Sequence, residues 1–128
     1  MKKKFKIADR IIGEDSSPFI IAEMSGNHNQ SLERALEIVD AAAEAGAHGL
    51  KIQTYTADTM TIKHDKGLFY IDDPNSLWNG RTLYDLYEEA HTPWDWHKPI
   101  FERARSKGMI PFSTPFDDSS VDFLEELN

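Results

Sequence analysis

The stretch that decides the fold is Ala45-Gly46-Ala47-His48-Gly49-Leu50-Lys51-Ile52-Gln53-Thr54-Tyr55. It follows a segment in which apolar residues recur at helical spacing after Ser31, a favoured N-cap residue. Gly46 fits the position that ends a helix, and residues 49–55 then predict a strand. The same order of helix, glycine, short link and strand recurs at Lys107-Gly108-Met109. This repetition predicts consecutive right-handed βαβ units with a parallel sheet.

Two more strands flank this unit in the predicted order. Phe19-Ile20-Ile21-Ala22-Glu23-Met24 is an apolar run closed by a carboxylate, which is typical of a strand buried on both faces of a parallel sheet. Residues 109–116 predict a third strand that runs into a loop. A loosely alternating segment, 5–13, predicts one or two short leading strands, and residues 18–128 then divide into three βα units.

The remaining segments predict one long insertion and three more helices. Residues 56–80 have no clear period, but their aromatic side chains favour an ordered insertion. A short helix is predicted at 82–89. The next helix has Thr92 as N-cap and Pro93 in its first position, and Pro99 is expected to kink or restart it. A last helix follows Asp117 or Asp118, and its predicted apolar face is Val121, Phe123, Leu124 and Leu127.

Two architectures contain repeated βαβ units, the doubly wound sheet and the (β/α)8 barrel. The glycine-rich turn that cradles a dinucleotide is missing after the first main strand, which counts against a dinucleotide-binding sheet. A complete barrel needs about 250 residues. The chain has 128 residues, and its three predicted strands cannot close a barrel. Under the barrel interpretation the fold class is α/β, with this chain as the N-terminal portion of a parallel (β/α)8 barrel that is incomplete in this chain.

Composition argues against several functional classes. The chain carries 14 Lys and Arg against 22 Asp and Glu, a net charge of −8, so phosphates of nucleic acids should repel it. Its longest apolar run, Phe19-Ile20-Ile21-Ala22, is far shorter than the ~20 residues of a membrane span. The absence of cysteine excludes disulfides and thiolate metal sites and fits a reducing cytoplasm. We therefore expect neither a nucleic acid nor a membrane as partner, and a cytoplasmic location.

The predicted chemistry lies at the carboxyl ends of the strands, where enzymes of both architectures place it. Glu23 closes the first main strand. In the second, Lys51, Gln53 and Tyr55 share one face while Leu50, Ile52 and Thr54 share the other. A lysine that points into the inner side of a sheet needs an anion. The pattern therefore predicts a phosphate or carboxylate site, with a structural ion pair between Lys51 and Glu23 as the alternative.

The loops after the strands add further polar candidates. Asn27 and His28 can both hydrogen-bond a polar substrate, and His28 could act as acid, base or ligand. The alternative is that His28 is a structural loop residue. Ser113 and Thr114 offer hydroxyls ahead of a helix start, but in a regular strand only one of them can point inward. The other histidines, His48, His64, His91 and His97, have no metal-ligand spacing and are interpreted as structural or solvated.

Three motifs in this order and register resemble the N-terminal part of the sialic acid synthase family. They are Ile21-Ala22-Glu23-Met24-Ser25-Gly26-Asn27-His28, the stretch from Ala45 to Tyr55, and Phe112-Ser113-Thr114-Pro115-Phe116. The segment from Leu77-Trp78 to Trp94 resembles the pseudaminic acid synthase branch in particular. Gln30 departs from the resemblance, because many members have glycine at that position.

The resemblance implies a (β/α)8 barrel that condenses phosphoenolpyruvate with an amino-sugar aldehyde to give a nine-carbon 2-keto acid and phosphate. In the pseudaminic branch the sugar is a 2,4-diacetamido-2,4,6-trideoxy-altrose. By position, Lys51 and Thr114 would hold phosphoenolpyruvate, and Glu23 would bind the sugar and handle protons. The other positions taken as substrate contacts are Gln53, Ser113, Asn27 and His28.

The resemblance also implies parts that this chain does not supply. A divalent metal, Mg or Mn, would be held by histidines of later strands, and none of its ligands is expected here. The full-length enzyme would be a homodimer in which a small C-terminal antifreeze-like domain, absent from this chain, completes the partner's site. A neuraminic or legionaminic acid synthase is an alternative within the same chemistry, and a non-catalytic fragment or binding module is the alternative of another class. The insertion at 56–91 is expected to contribute to sugar choice.

Overall fold

The computed structural model describes residues 3–127 of the chain. A short antiparallel hairpin leads, formed by β1 (Phe5–Ile7) and β2 (Arg10–Ile12). The main sheet has three parallel strands in the order β3 (Ile21–Glu23), β4 (Gly49–Thr54) and β5 (Ile110–Pro115). The leading strands and the parallel sheet are therefore present as the sequence predicts.

Two helices cover one face of this sheet and contact each other. α1 (Leu32–Glu44) begins as predicted, because the Ser31 hydroxyl accepts a hydrogen bond of 3.2 Å from the backbone N–H of Arg34. Gly46 follows α1 at a φ of +91°, a conformation that glycine adopts without steric cost. α4 (His97–Ser106) lies beside α1. The core between helices and sheet consists of Met24, Ala35, Val39, Leu50, Ile52, Ile100, Phe101, Ala104 and Met109.

The insertion after β4 is ordered, as its aromatic content predicts, and it contains more regular structure than its sequence shows. It holds α2 (Ala57–Met60) and a 3-10 helix at Gly67–Phe69, and a bridge between Tyr70 and Thr82 closes it. α3 (Leu83–Ala90) follows, with the Thr82 hydroxyl as its N-cap. The Tyr84 hydroxyl donates to the Asp58 carboxylate at 3.1 Å and joins α3 to α2.

The start of α4 differs from the prediction. Thr92 is not an N-cap, because its buried hydroxyl lies 3.1 Å from Nε2 of His28. The chain instead forms a 3-10 helix at Trp94–Trp96 and restarts as α4 at His97. Pro99 is the third residue of α4, where a backbone N–H would have no partner within the helix anyway, so the restart expected from Pro99 is confirmed.

The last helix, α5 (Asp118–Leu127), is capped by Asp117, whose carboxylate accepts from the backbone N–H of Ser120 at 3.2 Å. Leu124 and Leu127 pack against the core as predicted. Val121 does not, because it lies on the exposed side of α5. No helix within residues 3–127 has the length and apolar character needed to cross a membrane.

The first main strand also departs from its prediction. A strand buried on both faces was expected at 19–24, but Ile21 is 45% exposed and Ile20 is 50% exposed. Only Ala22 and Met24 pack with the core on the helix side. Ile21 lies on the side opposite Ala22, and Ile20 precedes the strand, so the apolar run is only partly buried.

Candidate active site

Strand register brings the predicted side chains to one edge of the sheet. Glu23 lies opposite Lys51, and Gln53 lies opposite Thr114. Because the strands are parallel, their carboxyl ends meet at the same edge. We call the sheet face that carries Glu23, Lys51, Gln53 and Thr114 the inner face, and the face under α1 and α4 the helix-facing side.

The two faces of β4 separate as the alternation of the sequence predicts. Leu50, Ile52 and Thr54 are completely buried on the helix-facing side. Lys51 and Gln53 are only partly buried on the inner face. The inner face is therefore the side of the sheet where polar chemistry is accessible in this chain.

Glu23 and Lys51 form an ion pair at the centre of the inner face. Nζ of Lys51 lies 3.0 Å from Oε2 of Glu23. The side chains of Lys51 and Glu23 keep 31% and 42% of their surface exposed, respectively, so a ligand can reach both charges. The ion pair that the sequence offered as the alternative is present. It holds the carboxylate at the end of β3 beside a cation in the middle of β4.

A cleft of about 400 Å³ opens beyond this pair along the chain: Glu23 and Lys51 do not line it, but Ser25 and Gln53, two residues further along each segment, do. One wall is the loop after β3, where the Ser25 hydroxyl lies 3.4 Å from Oε1 of Gln53. Gly26 allows α3 to approach this loop closely, since an added Cβ would lie 3.0 Å from the carbonyl oxygen of Ala90. The residues that line the cleft are Ser25, Gly26, Asn27, Gln53, Tyr55, Met60, Leu77, Trp78, Leu86, Tyr87 and Ala90.

Of the apolar and aromatic wall of this cleft, the sequence indicated only Tyr55, and the other wall residues were missed as site residues. Tyr55 is buried, with the ring of Tyr87 edge-on at 5.9 Å and that of Phe116 at 5.5 Å. Burial raises the pKa of the Tyr55 hydroxyl, so it stays protonated at neutral pH. Trp78 also lines the cleft, with the Arg81 guanidinium 5.4 Å from its ring. Apart from Tyr55, the aromatic residues of the insertion were the sequence signal for this wall.

Asn27 lies at the cleft and His28 does not. The Asn27 side chain donates to the Met24 carbonyl at 2.9 Å. His28 is fully buried, its Nδ1 accepts from the backbone N–H of Gln30 at 3.2 Å, and its Nε2 faces Thr92. Burial, helped by the neighbouring His91, lowers the pKa of His28. Both ring nitrogens are thus used inside the protein, which matches the interpretation of His28 as a structural loop residue.

Ser113 and Thr114 face opposite sides, as strand geometry requires. Thr114 lies on the inner face beside Gln53. The Ser113 hydroxyl points to the helix-facing side, 2.6 Å from Oγ1 of Thr54 and 3.1 Å from the carbonyl oxygen of Ile52. The expectation that Ser113 contacts substrate is therefore corrected by the geometry, because its side chain is not on the face that holds Glu23 and Lys51.

The histidines outside this site have structural surroundings. Nδ1 of His48 accepts from the backbone N–H of Ile20 at 2.8 Å, at the opposite end of the sheet. His97, the first residue of α4, is fully buried. Within residues 3–127, no group of three or more His, Asp or Glu side chains could hold a metal ion.

A parallel sheet with helices on one face and charged groups toward its carboxyl edge is typical of α/β enzyme domains. Comparison with known proteins places the chain within that class. The sequence model of the NeuB family matches residues 38–128, and the chain belongs to this family. It forms the first units of a (β/α)8 barrel, so the predicted family and fold class are confirmed.

Individual relatives agree with this placement. Over 114 residues the chain is 49% identical to the pseudaminic acid synthase of Campylobacter jejuni, which covers 89% of this chain and 33% of the relative. It is 37% identical over 115 residues to the N,N'-diacetyllegionaminic acid synthase of Legionella pneumophila, covering 90% of this chain and 32% of the relative.

Among solved structures, the N-acetylneuraminic acid synthetase of Leptospira borgpetersenii in complex with citrate superposes with a TM-score of 0.78 at 26% identity. That match covers 100% of this chain and 39% of the Leptospira chain. The chain therefore spans about a third of the length of the relatives that it matches.

Proposed function

We propose that residues 1–128 form the phosphoenolpyruvate-binding start of a synthase that makes pseudaminic acid from phosphoenolpyruvate and a 2,4-diacetamido-2,4,6-trideoxy-altrose. The observation that carries the proposal is the accessible pair of Glu23 and Lys51 on the inner face, beside a cleft with polar and aromatic walls. The choice of the pseudaminic branch rests on the identity of 49% with a pseudaminic acid synthase, against 37% with a legionaminic acid synthase.

Lys51 and Thr114 suit an anionic substrate. Phosphoenolpyruvate carries a carboxylate and a phosphate, and charge-assisted hydrogen bonds from an ammonium group are among the stronger ways to hold such groups. The ammonium group of Lys51 is paired with the Glu23 carboxylate. We propose that on binding Lys51 turns its ammonium group toward phosphoenolpyruvate, which leaves the Glu23 carboxylate free to accept from sugar hydroxyls.

The proposed reaction balances without an oxidant or reductant. C3 of phosphoenolpyruvate attacks the aldehyde carbon and forms the new C–C bond, water adds at C2, and the C2–O bond to phosphate breaks to leave a 2-keto acid. The aldehyde oxygen takes up a proton, and a carboxylate placed beside the sugar can carry protons to and from its hydroxyls. Glu23 is assigned this task.

The cleft wall suits the sugar of this branch. A 6-deoxy sugar with two acetamido groups presents methyl groups as well as amides, and aromatic side chains next to polar groups are typical of sites that bind such mixed surfaces. Leu77, Trp78 and Tyr87 supply the apolar part, and Gln53 and Asn27 supply hydrogen-bonding groups. This is the proposed contribution of the insertion to sugar choice.

Three further features of the full-length enzyme belong to the proposal. They are a homodimer, a cytoplasmic location and a bound Mg or Mn ion. Residues 3–127 provide no cluster of ligands for that ion, so no step above is assigned to it.

The test is phosphate release by the full-length protein that contains this chain. With phosphoenolpyruvate and Mg or Mn present, we expect the altrose derivative to be consumed faster than the amino-sugar precursors of neuraminic and legionaminic acids. Faster turnover of either other precursor would move the protein to another branch of the same chemistry. Binding of phosphoenolpyruvate with no turnover of any sugar would support a binding module and overturn the enzyme proposal.

A further inference from the structure

A chain of hydrogen bonds lies directly under the inner face and takes no part in the chemistry assigned above. Oγ of Ser113 lies 2.6 Å from Oγ1 of Thr54, which lies 2.7 Å from Nε2 of His97. Nδ1 of His97 lies 3.2 Å from the carbonyl oxygen of Pro93. The chain of contacts therefore runs from β5 across β4 to the start of α4.

Each hydrogen bond in this chain of contacts has a defined donor and acceptor. A carbonyl oxygen only accepts, so Nδ1 of His97 carries a hydrogen and donates to Pro93. Burial lowers the pKa of His97, so the ring is neutral and its Nε2 accepts the proton of the Thr54 hydroxyl. Thr54 has then used its only proton, so the Ser113 hydroxyl is the donor in the 2.6 Å contact. Its single proton is shared between Thr54 and the carbonyl oxygen of Ile52, which lies 3.1 Å from the same hydroxyl. Each donor thus meets an acceptor.

The middle of this chain of hydrogen bonds is shielded from solvent, while Ser113 and Pro93 at its two ends are partly buried. Thr54 and His97 are both fully buried. The ring of Phe123 stands edge-on to His97 at 5.2 Å, and the ring of Phe101 lies 6.2 Å away. A second bond, from Nε1 of Trp94 to the carbonyl oxygen of Tyr55 at 3.3 Å, ties the same start of α4 to the end of β4. Buried hydrogen bonds without competing water fix geometry more firmly than exposed ones.

Each hydroxyl in the chain is next in sequence to a residue of the inner face. Thr54 follows Gln53, and Ser113 precedes Thr114. Gln53 and Thr114 are register partners in the sheet. A shift of either hydroxyl therefore moves one of these two residues relative to the other.

We propose that Ser113, Thr54 and His97 form a positioning relay that holds Gln53 and Thr114 side by side for substrate binding. The inference rests on the proposed function, because it assigns a task to residues beneath the proposed substrate face. None of the three side chains touches substrate. They act through the backbone of β4 and β5.

The decisive comparison is Thr54→Val against Thr54→Ser in the full-length protein. Valine keeps the shape and removes the hydroxyl, which cuts the relay in the middle, whereas serine keeps the hydroxyl and loses only a methyl group. We expect Thr54→Val to raise the KM for phosphoenolpyruvate about tenfold with kcat changed less than about threefold, because small displacements of binding groups are costly. Thr54→Ser should stay within about twofold of the wild-type KM.

Variants of His97, at the α4 end of the relay, should change the KM for phosphoenolpyruvate less than Thr54→Val does. His97→Phe leaves Thr54 free to donate to Ser113, and Ser113 to donate to the Ile52 carbonyl, so only the link to α4 is lost. We expect about a threefold rise in KM for His97→Phe, and a return toward the wild-type KM for His97→Gln, whose amide can again bond Thr54. Combining His97→Phe with Thr54→Val should add nothing further, since both interrupt the same chain.

Val39→Ala is the control for lost stability. Val39 is buried in α1 and outside the relay, so this variant should lower the melting temperature without changing the KM for phosphoenolpyruvate. If Thr54→Val changes KM no more than Val39→Ala at a similar loss of melting temperature, the relay is merely structural and the proposal is overturned.

Failure of the proposed relay can be distinguished from failure of the proposed function. If the wild-type protein releases no phosphate with any sugar, the proposed function fails, and amide hydrogen exchange then decides on the relay. Loss of protection confined to 49–54 and 110–115 in Thr54→Val, with Thr54→Ser unchanged, would support it. Uniform loss, or none, would overturn it.

Discussion

The two faces of the three-stranded sheet are built in opposite ways from alternating residues of the same strands. On the helix-facing side of β4, Leu50 and Ile52 are fully buried against α1 and α4. On the inner face, Lys51 is paired but partly exposed, and the neighbouring Phe112 is 37% exposed. One face is completed by this chain, and the other is open and carries both charges and apolar side chains.

Because adjacent residues of a strand face opposite sides of the sheet, a residue that stabilises the fold lies next in sequence to one that is available for chemistry. Side chains that point to the helices should affect folding when they are changed, and their immediate neighbours should affect binding or turnover. The following predictions test that division, beginning with the largest effect.

The open face should prevent residues 1–128 from working alone. Ile21 and Phe112 expose apolar surface there, and β3 and β5 are both edge strands in the described part of the chain. Unpaired strand edges and apolar patches invite association. We expect the isolated segment to have no synthase activity and to self-associate or to unfold without a sharp transition. Size-exclusion chromatography and thermal melting at micromolar concentration would check this, and a sharply melting monomer would contradict it.

Glu23→Gln should reduce turnover more than any other single substitution on the inner face. Glutamine keeps the shape of the side chain but cannot exchange a proton, and groups that transfer protons are typically worth ~10²–10⁴-fold in rate. We expect turnover of the full-length enzyme to fall by about that factor while its melting temperature changes little. Wild-type turnover across pH 6 to 9 would show that Glu23 is only the partner of Lys51.

Lys51→Ala and Leu50→Ala form a matched pair across the two faces. Removing the lysine should cost about 2–3 kcal/mol of binding to the anionic substrate, which raises the KM for phosphoenolpyruvate about 30- to 150-fold. Removing the leucine should cost about 2–5 kcal/mol of unfolding free energy and leave that KM unchanged. Steady-state kinetics and urea unfolding of both variants check the pair. A KM effect from Leu50→Ala as large as that from Lys51→Ala would abolish the division.

Local signals in the sequence were sufficient for most of the fold. The alternation in β4 predicted which side chains face the helices, and Ser31 and Gly46 predicted the ends of α1, because each of these depends on near neighbours in the chain. Thr92 was misread because its hydroxyl bonds His28, which is 64 positions away. A preferred capping residue can thus be used by a distant partner that no local pattern shows.

The site was predictable in its charges but not in its walls or supports. Glu23, the last residue of β3, and Lys51, in the middle of β4, are register partners, so their pairing follows from the parallel sheet. The bonds of Ser113 to Thr54 and of Thr54 to His97 depend on how α4 is seated, and the cleft wall depends on how the insertion folds back. Both the hydrogen bonds and the cleft wall arise from contacts between segments that are distant in sequence, which local patterns do not show.

The turn at Gln30 shows how the chain accommodates its departure from the family pattern. Asn29 and Gln30 both have positive φ, +47° and +58°, inside a turn closed by the backbone bond from Ser31 to His28. Turns with two such residues favour Asn-Gly, because glycine takes the left-handed conformation without steric cost. The same turn is therefore built here with a residue that tolerates it less well.

The smallest expected effect is a pH dependence that belongs to the buried side alone. Burial lowers the pKa of His97 below its ordinary value of 6.5, and the pKa of His28 shifts in the same direction. Between the lowered folded-state pKa and about 6.5, the unfolded chain binds a proton that the folded chain does not. The unfolding free energy therefore rises with pH through this window. The stability that the buried, neutral histidines contribute is fully present above about pH 6.5 and is lost as the pH falls toward the folded-state pKa.

Urea unfolding of the full-length protein between pH 5 and 8 measures this slope. Replacing His97 with phenylalanine removes one titrating group from the folded and the unfolded chain, so His97→Phe should flatten the curve in that window. Glu23→Gln serves as the matched control on the inner face and should leave the slope as it is. If Glu23→Gln changes the slope and His97→Phe does not, the pH sensitivity belongs to the open face, and the division between a closed, stabilising side and an open, chemical side is wrong.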